Sequence, residues 1–190
     1  MNFKHLSCAL CLTSTVSVLL PPSSTAKPKP RKSSSPIYRT IVPTSEKVSQ
    51  TWKYTFAAPP AAWHQKDFND SKWHTGQGGF GTHITPHIGR LGTVWKTSDI
   101  WLRRTFNPGT ITAVPINVRD YHDEAVEIYI NGTLVYSAKG YIVGYERKPL
   151  AAGAHRAIMS NAKNVMAVHC HQTTGGQYID VGLEQVIAPR

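Results

Sequence analysis

Val126 to Tyr136 reads VEIYINGTLVY, and this stretch decides the fold class. Two runs rich in β-branched and aromatic residues flank Asn131-Gly132. Asn-Gly is the preferred pair for a two-residue type I′ hairpin, because both turn residues need a positive φ. The turn predicts that Ile130 faces Thr133 and that Ile128 faces Val135. Side chains on a strand alternate between faces, so Val126, Ile128, Ile130 and Val135 should share the buried side.

The same period recurs on both sides of the hairpin. In Asn164 to Gln172 (NVMAVHCHQ), Met166, Val168 and Cys170 fall on one face, with Val165, Ala167, His169 and His171 on the other. Gly175-Gly176 then turns the chain. Tyr178 to Leu183 follows, with Ile179, Val181 and Leu183 together. Ile100 to Phe106 and Val114 to Tyr121 read as further strands, joined across Pro108-Gly109. No region carries helical periodicity, and many short strands separated by turns indicate a sandwich or barrel.

The 190 residues suit one domain once the ends are set aside. Hydrophobic residues make up 41% and charged residues 17%, which favours a packed core over disorder. The formal charge of +10 is uneven. Residues 1–47 hold seven of the 21 basic side chains and one of the 11 acidic ones, so the body is close to balanced. A groove for nucleic acid needs clustered basic residues on the folded part, so nucleic-acid binding is not expected.

The N-terminus reads as an export signal. Lys4 precedes a mostly apolar run from Leu6 to Leu20, Pro21-Pro22 end it, and Ser24-Thr25-Ala26 offers a small-residue cleavage site. The expected organisation is a signal peptide over 1–26, a Pro/Lys/Ser-rich linker over 27–47 and a β-sandwich over 48–190. The protein would then be secreted or periplasmic, without membrane insertion after cleavage. Cleavage would remove Cys8 and Cys11, leaving Cys170 without a disulfide partner. It is expected to be buried and inert.

Four blocks together resemble a known family: Trp63–Gly81 (WHQKDFNDSKWHTGQGGFG), Trp95–Phe106 (WKTSDIWLRRTF), His122–Gly132 (HDEAVEIYING) and Asn164–His171 (NVMAVHCH). In this order they are similar to the galactose-binding-like jelly roll, particularly the sugar-binding-type domain of glycoside hydrolase family 2, the β-galactosidase-like proteins. The resemblance implies an eight-stranded antiparallel jelly-roll sandwich and an accessory, non-catalytic domain of secreted carbohydrate-active enzymes. A catalytic TIM barrel needs about 250 residues, which this chain cannot supply.

Most residues in these blocks also have structural explanations. Asp70 and Ser71 suit the turn before Trp73. Trp73 and Trp101 suit the core, and Asp99 with Arg103 and Arg104 suits an ion pair bracing the sheet. Asp123 and Glu124 are adjacent and would point apart on an extended backbone, which argues against a glycosidase pair. Cys170 faces away from His169 and His171, which argues against a thiol dyad. His169 and His171 share a face, but no spacing identifies a third ligand beyond a candidate such as His122. No metal or cofactor is therefore expected.

A sugar site needs an aromatic face and a few fixed polar groups. The candidates off the presumed core are Trp63, His83, His87, Trp95, Tyr121, His169, His171 and Tyr178. His83 and His87 lie in the Gly-rich connection Gly76 to Gly92. The expected function is non-catalytic binding of carbohydrate or a glycosylated surface. The alternative is a structural adaptor that docks on a separate secreted hydrolase, with a small stand-alone hydrolase ranked last.

Overall fold

The computed structural model describes residues 35–112 and 115–187. The expected signal peptide, residues 27–34 of the linker and Val114 lie outside the described residues. Twelve strands follow in order: β1 (Ile37–Val42), β2 (Thr51–Thr55), β3 (His74–Gln77), β4 (Phe80–Gly81), β5 (Thr93–Val94) and β6 (Asp99–Phe106), then β7 (Ile116–Asp123), β8 (Ala125–Ile130), β9 (Thr133–Ala138), β10 (Glu146–Pro149), β11 (Asn164–His171) and β12 (Tyr178–Ile187). Among the described residues the only helical pieces are two short 3₁₀ turns, Ala61–His64 and Ala154–Ala157.

The strands form two six-stranded sheets. One runs β10-β7-β12-β4-β5, with β1 also paired to β12; the other runs β3-β2-β6-β11-β8-β9. All pairs are antiparallel except β4–β5. The all-β sandwich is as expected, with more and shorter strands than the eight implied. Ile37 already pairs with Ile187, so the sheet takes up the chain before the expected start at Val48.

The predicted inner faces are buried. Ile128 and Met166 from one sheet meet Val181 from the other, each with no exposed surface, and Ile130, Val135, Val168, Cys170, Ile179 and Leu183 join them. The hairpin turn has φ of 51° at Asn131 and 90° at Gly132. Ile130 pairs with Thr133 as predicted. One step further, Ile128 faces Tyr136 instead of Val135, because a bulge between Ile128 and Tyr129 adds one residue to the opposite strand. The Asn131 side chain closes the turn onto β11, accepting from Val165 N at 2.9 Å and donating to Asn164 Oδ1 at 2.7 Å.

Two buried ionisable groups hold the segments that cover the sheets. Arg103, only 2% exposed, lies on the side of β6 opposite Leu102. Its guanidinium donates to Asp70 Oδ2 at 2.8 Å, to the carbonyls of Gln65 (3.0 Å) and Phe68 (3.3 Å), and to that of Trp63. Asp99 is therefore not its partner. Four residues along a strand span about 13 Å, beyond the reach of a direct pair. The turn before Trp73 is also built differently from expected: Asn69, not Asp70, accepts from Ser71 N at 3.0 Å. Arg104 instead donates to Gln50 Oε1 (2.7 Å) and the Pro43 carbonyl (3.0 Å), fastening the segment after β1.

Asp180 is the second such group. It is 2% exposed, on the side of β12 turned away from Ile179 and Val181. Its Oδ2 accepts from Ser45 N and from Tyr145 Oη, both at 2.6 Å, while Oδ1 has no partner. Burial drives its carboxyl up to about 7, against the hydrogen bonds from Tyr145 and Ser45 that favour the ionised form.

Two predictions follow from these groups. Arg103→Ala strands Asp70 and three carbonyls, so urea unfolding should show a loss of roughly 3–5 kcal/mol. Arg103→Lys should recover little of it, since one ammonium cannot fork to four acceptors. For Asp180, the unfolded chain ionises near the ordinary 3.8 while the folded chain keeps its proton to about 7. Unfolding therefore releases a proton between those values, and rising pH favours the unfolded state. Between pH 4 and 8 the native protein should lose on the order of a few kcal/mol relative to Asp180→Asn, measured as paired denaturation curves.

Candidate functional site

Four loops meet at one end of the sandwich, where β7 ends. Asp123 and Glu124 come from the β7–β8 corner, Tyr141 to Val143 from the β9–β10 loop, Ile84 and Pro86 from the β4–β5 loop, and Thr174 to Gly176 from the β11–β12 loop. With Tyr121 they enclose a pocket of about 320 Å³.

Hydrogen bonds fix its walls. Thr85, buried, donates its hydroxyl to the Gln177 carbonyl at 3.0 Å and accepts from Gln177 N at 2.6 Å, joining the β4–β5 and β11–β12 loops. Tyr121 Oη donates to the Pro86 carbonyl at 2.6 Å, and Ile142 N to the His122 carbonyl at 3.1 Å. Glu124 Oε2 accepts from Thr173 N at 3.1 Å and from the Thr173 hydroxyl. Gly176 lets the β11–β12 loop pass close to this carboxylate, since a Cβ there would lie 2.5 Å from Asp123 Oδ2.

The floor and rim differ in chemistry. Asp123 is 9% exposed, and its carboxylate accepts no hydrogen bond among the described residues. Burial pushes its carboxyl up, the Glu124 charge adds to that, and His122 opposes it. At the rim stand Ile84, Tyr141 and Val143, 73%, 66% and 62% exposed, an unusual concentration of open apolar surface. The pocket thus offers an aromatic face beside two carboxylates, and one of these is buried and lacks a donor.

The structure redistributes the residues proposed from sequence. Tyr121 does reach the pocket, but as a back wall with 1% exposure. His83 and His87 are exposed on the β4–β5 loop without lining it. Trp95, Tyr178 and Trp63 offer no ring to a ligand. Trp95 sits in the core with Nε1 donating to Thr97 Oγ1 at 3.0 Å, Tyr178 is sealed under the Arg90 carbonyl at 2.8 Å, and Trp63 packs edge-on to Tyr129. Trp95 belongs to the packed core and Tyr178 lies under the β4–β5 loop, neither of which local alternation reports.

His169 and His171 form a separate group on the outer side of β11. His169 Nε2 and His171 Nδ1 lie 2.8 and 2.9 Å from Asp99 Oδ1. Partial burial pushes Asp99 up, but the hydrogen bonds with His171 and His169 leave it below its usual value. Trp101, expected in the core, is half-buried on this outer side and stacks on His169 at 4.8 Å. A shallow groove of about 390 Å³ lies alongside, lined by Glu127, Ser137 and Lys139 with both histidines. His122, weighed as a third metal ligand, belongs to the other sheet and is held by Asp120 at 2.6 Å. Cys170 is buried, and burial raises its thiol far above the ordinary range.

The sequence reading did not assign Tyr141, Ile84 or Val143 to a site, and it took up Asp123 only to set it aside as half of a glycosidase pair with Glu124. One signal was available: AKGYIVGY, Ala138 to Tyr145, puts large apolar residues between two glycines, where a connecting loop has no core to fill.

No protein-family model matches this chain, and no curated protein does. Solved structures do. A calcium-binding mutant of Bacteroides uniformis beta-glucuronidase 2 is 18% identical, with a TM-score of 0.51 over 79% of this chain and 18% of that one. A beta-glucuronidase from glycoside hydrolase family 2 is 14% identical, with a TM-score of 0.50 over 82% of this chain and 18% of that one. What is shared is the fold. The resemblance read from the sequence is borne out at that level, and this chain spans less than a fifth of either enzyme's length.

The burial pattern separates structural from ligand-facing aromatics. Trp95→Ala should lower the unfolding free energy by about 3–5 kcal/mol. Tyr141→Ala, at an exposed rim position, should change it by less than about 0.5 kcal/mol in the same thermal or urea measurement.

Proposed function

We propose that this domain is a secreted, non-catalytic carbohydrate-binding module whose ligand occupies the end pocket. The observation that carries the reading is Asp123, a largely buried residue whose carboxylate opens into the pocket beside the exposed Tyr141 ring with no donor among the described residues. Sugars present an apolar ring face edged by hydroxyl donors, which matches an aromatic wall beside carboxylate acceptors. The pocket volume is at the small end for ligand sites, suited to about one sugar unit, so a single contact would be weak. The export signal read over 1–26 supports secretion.

A second reading has its own support. The exposed Ile84, Tyr141 and Val143 suit a protein contact, and the solved structures of similar fold are segments of much longer chains. The domain would then dock on a separate secreted hydrolase.

Affinity electrophoresis of the full chain separates the two. Binding predicts retardation by at least one polysaccharide and its loss in Tyr141→Ala with unchanged thermal stability. Unaltered migration across a broad glycan panel favours the docking reading.

A further inference from the structure

The pocket differs in charge from the rest of the protein. In a chain of formal charge +10, the charged side chains lining it are Asp123 and Glu124, and no Lys, Arg or His lines it. His83 and His87 lie on the contributing β4–β5 loop but outside the lining, and Lys139, two residues before Tyr141, faces the neighbouring groove with His169 and His171.

The two carboxylates are not equivalent. Glu124 is engaged by Thr173, while Asp123 has no donor among the described residues. A buried carboxylate gains most from a charged donor, because the hydrogen bond and the charge pair act together where water is scarce. An acidic sugar would bring a third carboxylate against these two, with no cation in the lining to receive it.

We infer that the end pocket selects saccharides bearing a free amine, with the ammonium on Asp123 and the apolar ring face against Tyr141, Ile84 and Val143. This rests on the carbohydrate reading above and sharpens it. It sets the pocket apart from a uronate site, although the similar folds belong to enzymes named beta-glucuronidases. Tyr141 serves twice, since an aromatic face also attracts a cation held near it.

Isothermal titration of the full chain with three tetrasaccharides tests this: β-1,4-linked glucosamine, its fully N-acetylated counterpart and galacturonate. The glucosamine tetramer should bind at least roughly tenfold tighter than the acetylated one, the scale of one charge-assisted hydrogen bond. Galacturonate should not bind. Asp123→Asn keeps the shape and removes the charge, so it should bring the glucosamine and acetylated affinities together without losing the latter. Thermal denaturation checks that the variant folds.

Equal or tighter binding of the acetylated tetramer overturns the amine preference and leaves the carbohydrate reading standing. So does galacturonate binding that Asp123→Asn leaves unchanged. If no saccharide binds but tetralysine does, in an Asp123-dependent manner, both readings fall and the pocket belongs to a basic protein partner.

Discussion

An ionisable group removed from water must find partners among the chain's own atoms, and in this protein two such groups fix the segments that cover the sheets. Arg103 and Asp180 each sit about 98% buried, on strands of opposite sheets. Each is matched by segments distant in sequence. Arg103 collects Asp70 and three carbonyls from residues 63–68, and Asp180 collects Ser45 and Tyr145. Breaking such a group's contacts costs more than forming them gains, so the covering segments are held in one arrangement.

That arrangement decides where a ligand can reach. The segment after Thr55 closes over part of one sheet, and the segment after Val42 closes against the other. Trp63 is buried within the first of these segments, and Tyr178 lies under Arg90 of the β4–β5 loop. Among the places left open are the shallow histidine groove along β11 and the end pocket. In the groove the polar groups largely satisfy one another, with Asp99 shared by His169 and His171. In the pocket Asp123 lacks any such partner, which is why the functional reading rests there.

The similarity to glycoside hydrolase family 2 structures concerns architecture. A sandwich of this kind positions loops at its ends, and the chemistry of those loops belongs to each protein separately. Here the loops supply two carboxylates and an apolar rim. The charge of that site, rather than the fold, is the ground for the ligand class inferred.

Strand positions, inner faces and the Asn131-Gly132 turn were legible in the sequence, because each is written in neighbours two residues apart or in the φ preference of a single pair. The Ile128 bulge was not, since one extra residue in a ladder leaves the period on either side intact. The site was legible only in outline. His169 and His171 were correctly placed on a shared outer face, while Trp95 and Tyr178 were taken for surface groups and Tyr141 was passed over. Alternation states which way a side chain points, but whether water waits there depends on segments 30 to 140 residues away. The partnership of Arg103 with Asp70, the shelter of Asp180 and the meeting of four loops around Asp123 are contacts of that second kind. Only the assembled tertiary structure decided them, because burial is a property of everything that packs around a residue and not of the residue's own stretch of chain.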